Sequence, residues 1–178
     1  MMSDGVQAHE LNRFLGEVEA SAFQLARYAV RDTDEALDIV QDAMFTLARK
    51  YGKKPMSEWR PLFFRILQNR IRDWHRRASV RRRVVQESVV GETDRISTAT
   101  DDGRNDPLLA ANTDGATDQL QAAVEKLPLR QQQAFLLRSL EGLSVAETAK
   151  AMGCSQGSVK THYSRALSAL RDSLKEYW

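Results

Sequence analysis

The sequence has few of the residues that interrupt helices or cross-link small folds. Among 178 residues there are one cysteine, three histidines, four prolines and nine glycines. The single cysteine, Cys154, excludes an internal disulfide and fits a reducing compartment. The few cysteines and histidines do not stand at metal-ligand spacing, so we expect no metal ion or other cofactor.

Long apolar runs are also missing. No stretch approaches the roughly 18 apolar residues of a membrane helix, and residues 1–10 lack the basic start and apolar core of a secretion signal. We therefore expect a cytoplasmic protein without direct membrane insertion. No glycine-rich nucleotide loop and no Ser-His-acid grouping stands out, so the sequence does not indicate an enzyme.

Charge is distributed unevenly, although the formal net charge is only +2. Residues 60–83 carry nine arginines and one aspartate, whereas residues 84–118 carry eight acidic and two basic side chains. Residues 119–178 are basic again, with eight basic and five acidic side chains. This layout favours two regions that face nucleic acid, separated by a segment that DNA repels.

Helical periodicity dominates residues 8–78, which we interpret as one domain. Apolar side chains recur at intervals of three and four over residues 11–30. Asp32 or Thr33 can cap a second helix, whose apolar face continues to Leu47. These patterns predict two amphipathic helices joined by a tight turn.

A third helix of this domain, over residues 60–77, carries most of the arginines. Pro61 suits the start of a helix because its missing N–H is not needed there. One side of this helix is apolar and ends at Trp74, and the other carries Arg65 and Asn69 among several charged residues. The third helix is therefore predicted to pack on one side and to face a polar partner on the other.

Composition changes after residue 78. Residues 79–117 contain clusters of Ser, Thr, Gly, Asp and Asn without a sustained apolar period, and they predict an acidic, flexible linker. Residues 118–178 return to helical patterning and predict four helices. No strand-like alternation appears in the chain. The fold class is therefore all-α, with two small helical domains joined by a flexible polar linker.

The segment from Leu143 to Leu167 indicates a helix-turn-helix. Ser144 and Glu147 have the spacing of a capping box, Gly153 suits the end of the first helix, and Ser155 can cap the second. Two short helices joined by a tight glycine turn form the unit that places one helix in the major groove of DNA. Duplex DNA binding is therefore the first functional expectation.

Two stretches of the chain resemble a known family. Segment 34–44 reads DEALDIVQDAM and is similar to the D-x-E/D-D-L/I-V-Q-E/D-x-F/M segment of bacterial sigma factors. The run from Leu127 to Ala166 is similar to their promoter-reading domain four. Their order and separation resemble the extracytoplasmic-function group of RNA polymerase sigma factors over nearly all of residues 10–175. The resemblance implies a region 2 bundle and a region 4 helix-turn-helix.

The resemblance also implies protein partners. Asp38, Gln41, Asp42 and Phe45 match the face that docks on the clamp helices of the polymerase β′ subunit, and region 4 would meet the β flap. An anti-sigma factor is a further partner that the resemblance implies. On spacing alone, this part of the second helix also fits a solvated acidic face.

For the promoter −10 element, the resemblance implies a contact surface on the third helix. An Arg neutralises phosphate, an Asn offers a donor and an acceptor to a base, and an aromatic ring can stack on an unpaired base. Trp59 and Phe64 fit core packing as well as base stacking, whereas Phe63 and Trp74 favour the core. The candidate residues for the −10 element are Trp59, Arg65, Asn69, Arg72 and Arg76.

For the −35 element, the resemblance implies that the second helix of the helix-turn-helix reads duplex DNA. Gln pairs bidentately with adenine, and Lys or Arg pairs with guanine or phosphate. The candidates are Ser155, Gln156, Gly157, Ser158, Lys160, Thr161, His162 and Arg165.

The chain departs from the family at three places. Leu62 stands where the family often has Trp, and His162 where it often has Arg. A Gly-Lys-Lys-Pro turn, residues 52–55, replaces the usual Phe-Arg-Gly loop.

The predicted function is that of a sigma factor, which binds core polymerase and directs promoter-specific initiation. The alternative is a stand-alone helix-turn-helix regulator that binds duplex DNA without polymerase. Such a regulator would carry a receiver or ligand domain, and residues 10–78 show neither a pocket pattern nor a phosphorylation site.

Overall fold

The computed structural model describes residues 4–88 and 115–175 and contains no strand within these two ranges. None of its helices combines the length and hydropathy that a membrane crossing requires. In chain order the helices are α1 (Asp4–Val30), α2 (Thr33–Tyr51), α3 (Met56–Ser88), α4 (Gly115–Glu125), α5 (Leu129–Ser139), α6 (Val145–Met152) and α7 (Gln156–Lys175). The expected all-α class is confirmed.

Helices α1, α2 and α3 form the first unit. Asp32 caps α2 by accepting a hydrogen bond from the backbone N–H of Glu35 at 3.0 Å, which decides between the two predicted caps. The core of the unit contains an aromatic cluster in which Phe14 meets Phe63 edge-on, with ring centroids 6.2 Å apart. This packing buries one side of α3 within the first unit.

Helix α3 is longer than its sequence pattern predicted. It begins at Met56, so Pro61 lies inside the second turn and not at the start. It ends at Ser88, so the boundary predicted at residue 79 falls within the helix. No glycine or proline occurs between Pro61 and Gly91 to stop it. The rest of the predicted linker, apart from residues 115–117 in α4, lies outside the described residues.

Helices α4 to α7 form the second unit, and its turns follow the predicted pattern. Ser144 and Glu147 make the complete capping box at the start of α6. Gly153 ends α6 in the left-handed conformation, with φ of 64°. Val159, Ala166 and Leu170 are buried along one side of α7. The helix-turn-helix geometry is therefore present, with the opposite side of α7 facing outward.

The two units pack against each other. Helix α6 lies on α3, and α5 approaches α1. The guanidinium of Arg31, after α1, donates a hydrogen bond to the backbone carbonyl of Glu125 at 3.2 Å. We call this packing of the two units the closed arrangement.

Candidate nucleic-acid interface

One side of α3 presents a row of polar side chains. Arg65, Asn69 and Arg76 are exposed, and Arg72 is half-buried. At about 100° per residue these four positions fall within about 60° of one another around the helix. The Asn69 side-chain carbonyl accepts a hydrogen bond from the Arg72 guanidinium, and the Arg76 guanidinium lies 2.9 Å from the Asp73 carboxylate. The structure therefore brings the four predicted −10 residues Arg65, Asn69, Arg72 and Arg76 together on one surface.

Arg72 differs from the other residues of this row because the second unit partly covers it. A Cβ built on Gly153 would lie 2.8 Å from a terminal nitrogen of Arg72, so the turn between α6 and α7 rests on this guanidinium. Burial, followed by the nearby positive charge of Arg130, lowers the pKa of Arg72. Arg72 is therefore the −10 candidate that the closed arrangement makes least accessible.

Trp59 does not belong to this surface, and its assignment as a base-stacking residue is wrong for this conformation. Its side chain is only 1% exposed. Its ring packs 5.9 Å from that of Phe14, and its indole N–H donates to the backbone carbonyl of Tyr51 at 3.2 Å. Phe64 is also fully buried. Both rings stabilise the core, Trp59 by packing on Phe14 and Phe64 by packing on Phe63.

Helix α7 presents a second polar surface. Gln156, Lys160, Thr161 and Arg165 are exposed, while Val159 of the same helix is buried. Side chains on the opposite sides of one helix are separated in this way by its 3.6-residue period. Gln156, Lys160, Thr161 and Arg165 therefore lie away from the buried side of α7, spread over about half of its circumference.

Several hydroxyls at the start of α7 already have intramolecular partners. The backbone N–H of Ser158 donates to the Ser155 hydroxyl at 3.1 Å, which caps the helix. The Ser158 hydroxyl lies 3.0 Å from that of Ser155, and the Thr161 hydroxyl donates to the Gly157 carbonyl at 3.0 Å. The longer exposed side chains of Gln156, Lys160 and Arg165 have polar ends that extend further from the helix axis than these hydroxyls.

His162 adds little positive charge to this surface. Burial, then the positive charges of Arg130 and Arg165, lower the pKa of its imidazole. The ring is therefore neutral at neutral pH, unlike the Arg that often occupies this position in the family.

A third surface lies on α2. Asp38, Gln41 and Asp42 are exposed, and Phe45 is 65% exposed although it is a large apolar side chain. Spacings of three and four residues put all four on one side of the helix. An exposed aromatic ring beside acidic and amide groups is typical of a protein-binding surface.

An ion pair joins the two units, and one of its two side chains is buried. The guanidinium of Arg60 on α3 lies 2.9 Å from the carboxylate of Glu141, whose side chain is only 2% exposed. Burial raises the pKa of Glu141, and the nearby Ser21 hydroxyl and the charge of Arg60 offset this only in part. The Ser21 hydroxyl itself donates to the Val18 carbonyl. Arg60 and Ser21 both belong to the first unit, so the burial of Glu141 depends on contact between the two units.

Sequence reasoning missed three residues that organise these surfaces. Arg130 donates to the carbonyl of Met152 at 2.8 Å and so fixes the end of α6. Arg138 lies 5.6 Å from the centre of the Tyr163 ring and ties α5 to α7. Glu141 links the units. Arg130, Arg138 and Glu141 stand within the segment that resembles domain four, but their contacts depend on the tertiary fold.

Comparison with known sequences gives matches to both units. Residues 117–170 match the family described as Sigma-70, region 4. The chain is 30% identical to ECF RNA polymerase sigma factor SigM of Mycobacterium tuberculosis over 151 residues, covering 83% of this chain and 68% of the relative. It is 26% identical to ECF RNA polymerase sigma factor SigX of Bacillus subtilis over 160 residues, covering 86% of this chain and 77% of the relative.

Solved structures match nearly all of the chain. The sigma factor RpoE of Bartonella quintana, in complex with the anti-sigma factor NepR, superposes with a TM-score of 0.59 and 26% identity, covering 92% of this chain and 97% of that one. CnrH, in complex with the cytosolic domain of CnrY, shares the fold with a TM-score of 0.57 and 19% identity, covering 93% and 88% of the two chains.

Proposed function

Because the chain belongs to the ECF RNA polymerase sigma factors and directs transcription initiation, we propose that its two units read the two promoter elements separately. The relatives match across both units, which rules out the alternative of a stand-alone regulator. The observation that carries the proposal is that one chain has two exposed surfaces with basic and amide side chains suited to DNA. They are the polar row on α3 and the outer side of α7. Sigma factors work on the chromosome, so we place the protein in the cytoplasm.

The row on α3 acts on the −10 element. Its arginines, Arg65, Arg72 and Arg76, hold the phosphates of the opened strand. Asn69 has an amide that both donates and accepts, which suits the edge of an unpaired base. The buried rings of Trp59 and Phe64 take no part in stacking and serve as the rigid support of the row.

The outer side of α7 acts on the duplex −35 element. Gln156 stands at the start of the helix, where recognition helices contact base edges. Lys160 and Arg165 neutralise phosphates. The start of the helix is held by local hydrogen bonds and small side chains, so that its backbone N–H groups can approach a phosphate closely. The residues concerned are Ser155, Gly157, Ser158 and Thr161. A neutral His162 brings no positive charge to this surface, although its ring N–H can still donate a hydrogen bond.

The exposed face of α2 serves core polymerase. Asp38, Gln41 and Asp42 suit a partner helix that carries arginines, and Phe45 suits an apolar pocket beside them. The β′ clamp helices are the partner we propose for this face, with the β flap as partner of the second unit. RpoE of Bartonella quintana is bound to an anti-sigma factor, and we propose a partner of that class for this chain.

Reading both elements at once requires the closed arrangement to open. The numbers −35 and −10 are positions along the promoter, so the two elements lie about 25 base pairs apart. This is about 85 Å along B-form DNA at about 3.4 Å per base pair. Helices α3 and α6, one from each unit, are in direct contact in the closed arrangement. The closed chain therefore engages one element at a time, and a promoter complex uses an open chain.

Asn69→Ala tests the role of the row on α3 within the complete holoenzyme. We expect a loss of permanganate-reactive thymines in the promoter bubble of about ten- to a hundred-fold, the effect of one base contact of roughly 1–3 kcal/mol. Binding of duplex −35 DNA should be unchanged. Asn12→Ala is the matched control, since Asn12 is an exposed residue of α1 away from the row. Equal loss of bubble opening and duplex binding would assign Asn69 a structural role only.

A further inference from the structure

The C-terminal part of α3 extends the polar row beyond the residues considered so far. Helix α3 continues to Ser88, and residues 80–87 are all exposed. Residues 76–83 include five arginines and no acidic residue. Of the five arginines in this projecting segment, only Arg76 has a role in the −10 contacts proposed above.

Its arginines differ in the direction that they face. At about 100° per residue, Arg83 falls within about 20° of Arg76 and in line with Arg65. Arg77 points about 100° away from Arg76, and Arg81 about 140° away. Arg83 is therefore the residue of the projecting segment that continues the row. The row then runs Arg65, Asn69, Arg72, Arg76 and Arg83 along one side of a single helix.

The length of this row fits a nucleic-acid backbone. Residues 65 and 83 are separated by about 27 Å along a straight helix at about 1.5 Å per residue, and residues 76 and 83 by about 10 Å. At about 3.4 Å per nucleotide, 10 Å corresponds to about three further phosphates. Arg83 thus reaches past the segment that Arg76 contacts.

The chain order gives the direction of this reach. The −35 element lies upstream of the −10 element, and the helix-turn-helix that reads it follows α3 in the chain. The C-terminal end of α3 therefore points upstream when α3 lies on the −10 element. DNA on this side is duplex, with a high density of phosphates and no requirement for a particular base.

We propose that Arg83 is a DNA-binding residue that holds a phosphate of the duplex about three base pairs upstream of the −10 contacts. This inference rests on the proposed function of the α3 row. The charge is complementary, because an exposed guanidinium in an acid-free run of arginines meets a polyanion. The contact adds affinity and register to promoter binding but reads no base.

The test compares holoenzymes made with wild type, Arg83→Ala, Arg83→Lys and Arg77→Ala on two DNA fragments. Both fragments carry the −10 element, and only the longer one has about ten base pairs of duplex upstream, too few to reach the −35 element. Arg77→Ala removes the same charge from an exposed position of the same helix, off the row.

We expect Arg83→Ala to weaken binding of the longer fragment and to lower the slope of log affinity against log salt by about 0.9. Between about 50 and about 200 mM salt its affinity should then fall about three- to fourfold less than that of wild type. Arg83→Lys should keep the wild-type slope, Arg77→Ala should change it less, and on the shorter fragment Arg83→Ala should equal wild type.

Three results would overturn the inference: an unchanged slope for Arg83→Ala, an equal change for Arg77→Ala, or an equal change on the shorter fragment. The Arg65→Ala variant distinguishes failure of the Arg83 inference from failure of the proposed function. If Arg65→Ala weakens both fragments while Arg83→Ala affects neither, the α3 row stands without Arg83. If neither variant affects either fragment, the proposed −10 surface itself is wrong.

Discussion

The polar side chains at the start of α7 have two different roles: some shape the helix, and others can contact DNA. The hydroxyls of Ser155, Ser158 and Thr161 have partners within the helix, so their first task is local geometry. Gln156 and Lys160 lie one helical turn apart on the same exposed side, but their chemistry differs. An amide discriminates between base edges, whereas an ammonium attracts any phosphate.

We expect Lys160→Ala and Gln156→Ala to have different effects on −35 recognition. Lys160→Ala should weaken binding to all upstream sequences alike and lower the salt slope by about one unit. Gln156→Ala should change which upstream bases are preferred and leave the slope as it is. Selection from randomised upstream DNA with each variant measures both. An unchanged preferred sequence for Gln156→Ala would rule out base reading by this residue.

At the scale of the element, the two sides of α2 illustrate how one helix serves the core and a partner. Ala36, Ile39, Val40, Ala43 and Leu47 are buried against the rest of the first unit. The remaining face keeps Phe45 in water, which is unfavourable unless a partner covers it. The helix is held by its apolar side and capped by Asp32, so substitutions on the exposed face should leave the fold intact.

We expect Asp38→Ala and Phe45→Ala each to weaken binding to core polymerase by about tenfold or more, as for residues at the centre of an interface. Loss of Phe45 removes apolar contact area, so its effect should persist at high salt, whereas the effect of Asp38 should diminish. Glu19→Ala, an equivalent charge change on the exposed part of α1, is the control. Wild-type affinity of both α2 variants in titrations with core polymerase would refute the docking face.

At the scale of the whole molecule, we expect the contact between the units to depend on protonation of Glu141. Its pKa in the closed arrangement is raised from the ordinary value of 4.5, chiefly by burial. In an open chain its partner Arg60 moves away with the first unit, and the carboxyl is solvated. The closed form therefore binds the proton more tightly than the open form.

Because the closed form binds the proton more tightly, closure of the two units should depend on pH. The contribution of Glu141 to closure is fully present below the ordinary carboxyl pKa and is lost as the pH rises through its raised pKa. We expect the radius of gyration from small-angle scattering to increase from acidic to neutral pH. Glu141→Gln, which keeps the shape without the charge, should stay compact at neutral pH.

Glu19→Gln is the matched control for this measurement, because Glu19 is exposed on α1. It should open with pH like wild type. If Glu141→Gln expands with pH to the same extent as wild type, another group controls the closure.

Local features of this protein were determined by the sequence itself. The Ser144–Glu147 capping box and the Gly153 stop depend on interactions over a few residues, and both are present as predicted. The helical period likewise identified the apolar sides of α1, α2 and α7, because burial of one side of a helix follows directly from 3.6 residues per turn.

Features that depend on distant residues were decided only by the tertiary structure. Trp59 is an aromatic next to an arginine-rich helix in the sequence, and only its packing on Phe14 shows that it belongs to the core. The extension of α3 to Ser88, which aligns Arg83 with Arg65, was obscured by the polar composition after residue 78.

The contact between Glu141 and Arg60 joins residues 81 positions apart, and no local pattern encodes such a pair. Residues of one helix are positioned by its own geometry, so their common surface can be read from spacing. Residues of different helices are positioned by how the helices pack, and that depends on the shape of the whole core.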